Sequence, residues 1–193
     1  MKRLMATVIA GAGLMLGTAA LVSMGMPIKW QAPQPIEPVW AEAKWPFPID
    51  QWGTGRAFAC AAANCGTEVA LYIRPKVGFC NCATGVSDDP ELERVADTEF
   101  ISQRLRPRGP SRPIKVGWMH GLSRSYWVSD GATKESLLSV AFNDECDVVV
   151  VAVKLGGGDP EMLEPEVIAF LNTNPMVLWT KKELGLEFVR RDW

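Results

Sequence analysis

The sequence predicts an α+β domain: an antiparallel sheet with helices on one side, preceded by an N-terminal apolar helix and a Pro/Trp-rich tether. Three observations carry this. Strand-like runs are joined by short turn-forming segments, which is hairpin connectivity. One run, Val148-Val149-Val150-Val151-Ala152-Val153, is continuously β-forming and apolar, as a central strand buried on both faces would be. Two helix starts, each a polar residue followed by proline, collect near the C-terminal end, and strands followed by helices imply α+β.

Taken in order, residues 67–73 (Thr-Glu-Val-Ala-Leu-Tyr-Ile) alternate β-formers and read as a strand. Arg74-Pro75-Lys76-Val77-Gly78 reads as a turn and Phe79-Cys80-Asn81-Cys82 as the returning arm, which together make an N-terminal hairpin. Asp89 before Pro90 is an N-cap followed by proline at the first helical position, so a short helix begins there. Residues 114–119 and 125–128 are predicted strands around Gly121. The clearest hairpin is 137–142, a turn at Asn143-Asp144-Glu145-Cys146, and 147–155. Glu164-Pro165 is predicted to open one helix, carrying Val167, Ile168, Phe170 and Leu171. Asn174-Pro175 opens another, with Lys181 and Lys182 at its negative end and Gly185 where a C-terminal glycine stop belongs.

A length of 193 residues fits one domain with an appendage, and 48% apolar with 22% charged residues excludes an intrinsically disordered chain. Twenty-two acids against twenty bases leave no chain-wide basic field, so nucleic acid is not an expected partner. The charge is unevenly laid out, however. Residues 100–129 hold no acid but carry Arg104, Arg106, Arg108, Arg112, Lys115 and Arg124, a run that reads as a solvated loop or as a contact for an anionic surface.

The N-terminus sets the compartment. Met1-Lys2-Arg3 is followed by an uncharged stretch over 4–26, the pattern of a signal peptide or an uncleaved signal anchor. Thr18-Ala19-Ala20 suits cleavage after Ala20, whereas the apolar run through Ile28 and the Lys29-Trp30 pair suit an anchor. The expected organisation is 1–26 signal peptide or signal anchor, 27–51 Pro-rich tether and 52–193 a single exported domain. Residues 4–28 are then the membrane contact, and the domain is either anchored facing outward or released into the periplasm or medium. Six prolines in the tether forbid a helix, and its Pro35-Ile36-Glu37-Pro38 has P-x-x-P spacing. Trp40, Trp45 and Trp52 belong either on the domain surface or in an aromatic patch for an envelope protein partner.

Cys60, Cys65, Cys80 and Cys82 are the candidate site residues, spaced C-x4-C-x14-C-x-C. In an oxidising compartment they read as disulfides, one of Cys60/Cys65 with one of Cys80/Cys82, leaving Cys146 over. The alternative is a four-thiolate metal site for zinc or copper, although the spacing is not that of a zinc ribbon. Catalytic and nucleotide motifs such as H-E-x-x-H, G-x-S-x-G and the Walker loop are missing, and Gly156-Gly157-Gly158-Asp159 lacks the residues that hold phosphate. His120, the single histidine, could act as a base on Ser123 or Ser125 in a hydrolase, against the commoner reading of a structural histidine. The sequence therefore predicts an exported or membrane-tethered cell-envelope protein with a binding or structural role, no cofactor and a disulfide-stapled hairpin. A Cys-cluster metal module and a His120 hydrolase stand as the alternatives.

Overall fold

The computed structural model describes residues 38–129 and 135–186. The apolar segment 1–26, the membrane contact over 4–28 and most of the tether fall outside the described residues. Among the described residues, no helix is long and apolar enough to cross a membrane.

Strands β1 (Ala41–Ala43), β2 (Arg56–Cys60), β3 (Val69–Lys76), β4 (Leu105–Pro107), β5 (Arg112–Val116), β6 (Met119–Val128), β7 (Ser136–Asp144) and β8 (Asp147–Leu155) form one sheet. Its order is β1-β2-β3-β8-β7-β6-β4, with β5 also on β6, and every pairing is antiparallel. The helices are α1 (Ala62–Cys65), α2 (Asp89–Val95), α3 (Pro160–Leu171) and α4 (Asn174–Glu183), with a 3-10 turn at Thr98–Phe100. The α+β class and the antiparallel sheet are those the sequence predicts.

The valine run is the centre of the sheet. Residues 148–153 of β8 are at most 3% exposed and sit between β3 and β7, with Val151 opposite both Ile73 and Val140. Because side chains alternate along a strand, Val149, Val151 and Val153 join Leu71, Ile73, Leu138, Val140 and Phe142 on one face. Leu163, Val167 and Leu171 of α3 and Met176 of α4 cover that face. Val148 and Val150 point to the other face, where they meet Ala141, Leu122, and Leu92 and Val95 of α2. Both long C-terminal helices thus share one side, and the short α2 packs on the opposite one.

Several boundaries differ from the sequence reading. β3 does not turn at Arg74; Arg74, Pro75 and Lys76 continue the strand, opposite Val150, Val149 and Val148. β2 pairs only as far as Ile73, so beyond it β3 is bordered by β8 alone and a proline costs no bond on the open side. Phe79-Cys80-Asn81-Cys82 is consequently not a returning strand. Helix α3 opens at Pro160, with Asp159 as N-cap accepting from the Glu161 amide at 3.0 Å, and Pro165 lies inside it. The earlier Asp-Pro pair is the better start signal, and burial of Leu163, Val167 and Leu171 carries the helix past Pro165. Finally, the folded domain begins before Gln51. Ala41–Ala43 pairs with Ala57 to Ala59 of β2, Trp40 stacks on Phe170 at 5.0 Å, and Trp45 meets the Tyr72 ring edge-on at 6.2 Å.

β6 is one continuous strand through Gly121, whose position forbids a side chain. A Cβ there would lie 1.9 Å from the Ala141 carbonyl oxygen and 2.5 Å from the Phe142 Cα, both backbone atoms. Gly121→Ala should therefore destabilise the domain by about 3 kcal/mol, through forced separation of β6 from β7. Urea unfolding measures this, and a loss below about 1 kcal/mol would contradict so close an approach.

Candidate functional site

Sulfur chemistry is where the structure departs most from the sequence reading. Cys60 ends β2, and the single turn of α1 brings Cys65 back to it, closing a disulfide with Cα atoms 6.0 Å apart. Gly66 at φ 72° ends that turn in the left-handed conformation, which glycine adopts without strain. Both cysteines of this bridge are buried. The second disulfide joins Cys82 to Cys146, which lies in the turn between β7 and β8. Cys82 is exposed and Cys146 half-buried. Cys80 is a buried free cysteine.

The predicted pairing of Cys60 or Cys65 with Cys80 or Cys82 is thus corrected, and Cys80 replaces Cys146 as the odd thiol. The expectation assumed that residues 79–82 formed a strand beside the preceding arm. Since β3 runs on to Lys76, those residues fall instead beside the β7–β8 turn, where the Cys80 amide donates to the Cys146 carbonyl at 3.1 Å. The metal alternative at Cys60, Cys65, Cys80 and Cys82 falls with the same observation, because three of those sulfurs are in disulfides and are not thiolates. The two bridges differ in weight. In the chain-entropy account a separation of 64 residues contributes about 4 kcal/mol and a separation of 5 about 2 kcal/mol.

A buried charge cluster lies on the α2 side of the sheet. Arg74 grips Asp97 with Nε–Oδ2 at 2.5 Å and Nη2–Oδ1 at 2.8 Å, and reaches Asp50 Oδ1 with Nη1 at 2.7 Å. Lys76 Nζ donates to Asp97 Oδ1 and to the Val95 carbonyl, each at 2.7 Å. Arg74, Lys76 and Asp97 are all nearly inaccessible to solvent. The Val95 carbonyl belongs to the last turn of α2, so Lys76 satisfies an acceptor that the helix end leaves open. Burial opposes the charge of Asp50, yet the Trp52 amide and the Arg74 guanidinium hold its carboxyl below the ordinary carboxylate value. For Arg74, burial is likewise outweighed by Asp97 and Asp50, which raise its pKa. The cluster fixes α2 and residues 50–53 against β3. Sequence reasoning missed it by reading Arg74-Pro75-Lys76 as a turn. The available signal was the period-two series Tyr72, Arg74 and Lys76, which continues the alternation on the face opposite Leu71 and Ile73.

The acid-free stretch is largely neutralised by acids from the helices and the α3 N-cap. Arg108 pairs with Asp159 at 2.7 Å, Arg112 with Glu161 at 2.8 Å and with Glu164, and Arg124 with Glu93 at 2.7 Å and Asp89 at 3.2 Å. The Glu161 amide and then Arg108 keep Asp159 ionised below its usual range. Arg106 and Lys115 of the run are exposed.

His120 does not meet the serines proposed for it. It is exposed on β6 opposite Asn143, while Ser123 and Ser125 occupy positions of opposite parity in an unbroken register and so face the other side. Ser123 is fully buried and donates to Glu164 Oε1 at 2.5 Å. The hydrolase reading therefore loses its geometry. The surface of the described residues carries hollows, among them two larger ones. One of about 400 Å³ is lined by Gly157, Gly158, Asp159, Met162 and the Cys65 bridge region. The other, about 600 Å³, has Tyr126 at its base with Glu93, Glu99, Thr98, Ser102 and Gln103 around it. Burial, followed by the Glu93 charge, pushes the Tyr126 phenol up to about 12. Among the described residues no group of three or more His, Cys, Asp or Glu is placed to hold a metal ion.

No protein-family model matches the chain, and no curated protein matches it. Among solved structures it is similar to LpqN of Mycobacterium tuberculosis, described as involved in cell envelope biogenesis. The identity is 11%, the TM-score 0.36, and the match covers 71% of this chain and 81% of that one. A likeness at that level transfers neither fold nor role.

Asp97→Asn is expected to cost about 3 kcal/mol in denaturant unfolding, because it leaves two buried cations facing one carboxylate, Asp50. A change within 0.5 kcal/mol, on the order of a surface substitution, would show that the cations are hydrated rather than held by Asp97.

Proposed function

We propose that this is an exported protein of the cell envelope whose domain binds or supports another envelope component without catalysing a reaction. The observation that carries the reading is the pair of disulfides, Cys60–Cys65 and Cys82–Cys146, because such bridges persist in oxidising compartments and are rare in the cytosol. The charge-free segment over 4–26 behind Lys2 and Arg3 supports export independently of the disulfides. Residues 4–28 tether the domain to the membrane, and the prolines of 27–37 space it from the surface.

A binding role draws support from the 600 Å³ hollow. Its lining combines hydroxyls, an amide and carboxylates with Leu105, Pro107 and the Tyr126 ring, which suits a partner with both polar and apolar groups. Cell fractionation tests the reading. The protein should resist alkaline carbonate extraction from membranes, and its domain should be cut by protease added to the outer side. A mature N-terminus at Leu21 would establish the cleaved form of the same exported protein. Recovery in the cytosolic fraction with an intact N-terminus would overturn the proposal.

A further inference from the structure

The two disulfides sit in unlike surroundings. Cys60–Cys65 is sealed in the apolar core, whereas Cys82–Cys146 is at the surface with a third cysteine directly behind it. Cys80 is bound to the backbone of the very turn that carries Cys146. Its amide donates to the Cys146 carbonyl at 3.1 Å, and its thiol donates to the Glu145 carbonyl at 3.2 Å. The amide-to-carbonyl bond makes Cys80 a direct backbone neighbour of Cys146. The same turn holds Glu145 at φ 50°, the one non-glycine residue at positive φ among the described residues, so the turn is strained where the exchange would move it.

We propose that Cys80, Cys82 and Cys146 form an exchangeable disulfide centre, in which Cys80 displaces Cys82 from Cys146 and leaves Cys82 as an exposed thiol open to modification. The step is an isomerisation. The Cys80 thiol loses its proton to solvent, and the thiolate attacks Sγ of Cys146. The Cys80–Cys146 bond forms as the Cys82–Cys146 bond breaks, and Cys82 departs as a thiolate that takes a proton from water. One disulfide is consumed and one made, so no outside oxidant or reductant is needed. The new bridge closes a loop two residues longer than the old one, so chain entropy does not choose between them. Exposure does choose the consequence: a buried thiol is exchanged for a solvent-facing one.

Neutral pH keeps the centre at rest. Burial, with Glu91 of α2 and Asp147 of β8 adding to it, pushes the Cys80 thiol up, and Arg94 of α2 opposes them only in part. The attacking thiolate is therefore scarce near pH 7 and grows about tenfold per pH unit below its pKa.

The test uses the purified, oxidised full-length protein incubated at pH 7 and pH 8 with saturating N-ethylmaleimide, then acid-quenched and mapped without reduction. Label should accumulate on Cys82, about ten times faster at the higher pH, together with a peptide pair linking Cys80 to Cys146. The Cys60–Cys65 peptide should stay constant, and Cys80→Ser should abolish labelling of Cys82. Label confined to Cys80, or Cys82 labelled equally in Cys80→Ser, overturns the proposal. A second variant is independent of the kinetics: Cys82→Ser should form the Cys80–Cys146 bridge under the conditions that oxidise the wild type. If both thiols remain free there, the geometry does not permit the exchange.

Discussion

The pairing of β3 with β8 is the constraint on which the rest of the molecule depends. β8 is last in sequence among the strands, yet it is inserted between β3 and β7, so β1, β2 and β3 join the rest of the sheet only through it. Eight residues of β3, Val69–Lys76, find partners on β8. The valine run makes this insertion favourable on both faces at once: α3 and α4 cover one, and α2 with the buried charges covers the other. A strand with a polar face could not occupy that place without exposing one of the two layers to water.

That insertion explains the charges as well as the sulfurs. Carrying β3 past Ile73 drives Arg74 and Lys76 into the α2 layer, and two buried cations require buried acceptors. Asp97, Asp50 and the end of α2 supply them. The same extension delivers residues 79–82 to the β7–β8 turn, where Cys82 meets Cys146 across a separation of 64 residues. The long-range bridge therefore locks the segment leading into α2 onto the central hairpin, and the short Cys60–Cys65 bridge locks only its own turn. Carboxylates held below their ordinary values, Asp50 and Asp159 among them, add stability above their unfolded pKa near 3.8, which is lost as pH falls through the lower folded values.

Much of this was legible in the chain. The 137–155 hairpin and its buried second arm followed from β-branched composition, and Asp89-Pro90 placed the start of α2, although the N-cap is Asp88, which accepts from the Glu91 amide, and not Asp89. The C-terminal stop at Gly185 followed from glycine's tolerance of a positive φ, here 69°. What failed were local signals overruled by distant partners. Arg74-Pro75-Lys76 carries strong turn chemistry, yet β8 and Asp97 make it a strand. Clustering of four cysteines suggested that they bond among themselves, whereas pairing distance is set by the sheet, which brings in Cys146. The run of six bases read as a solvated loop or a contact for an anionic surface because the acids that pair with Arg108, Arg112 and Arg124 lie far away in sequence, on α2, α3 and the α3 N-cap. His120 and Ser123 are close along the chain but occupy opposite faces of β6.

Oxidised cysteines with this connectivity tie the fold to the compartment, and one measurement addresses both. Cells making the native protein are treated with a membrane-permeant alkylating agent before lysis, and the protein is digested and mapped without reduction. The account predicts two linked peptides, Cys60 with Cys65 and Cys146 with Cys82 or, after exchange, with Cys80, and alkylation confined to whichever of Cys80 and Cys82 is left free. Five alkylated cysteines in freshly trapped protein, or bridges from Cys60 or Cys65 to Cys80 or Cys82, would contradict it.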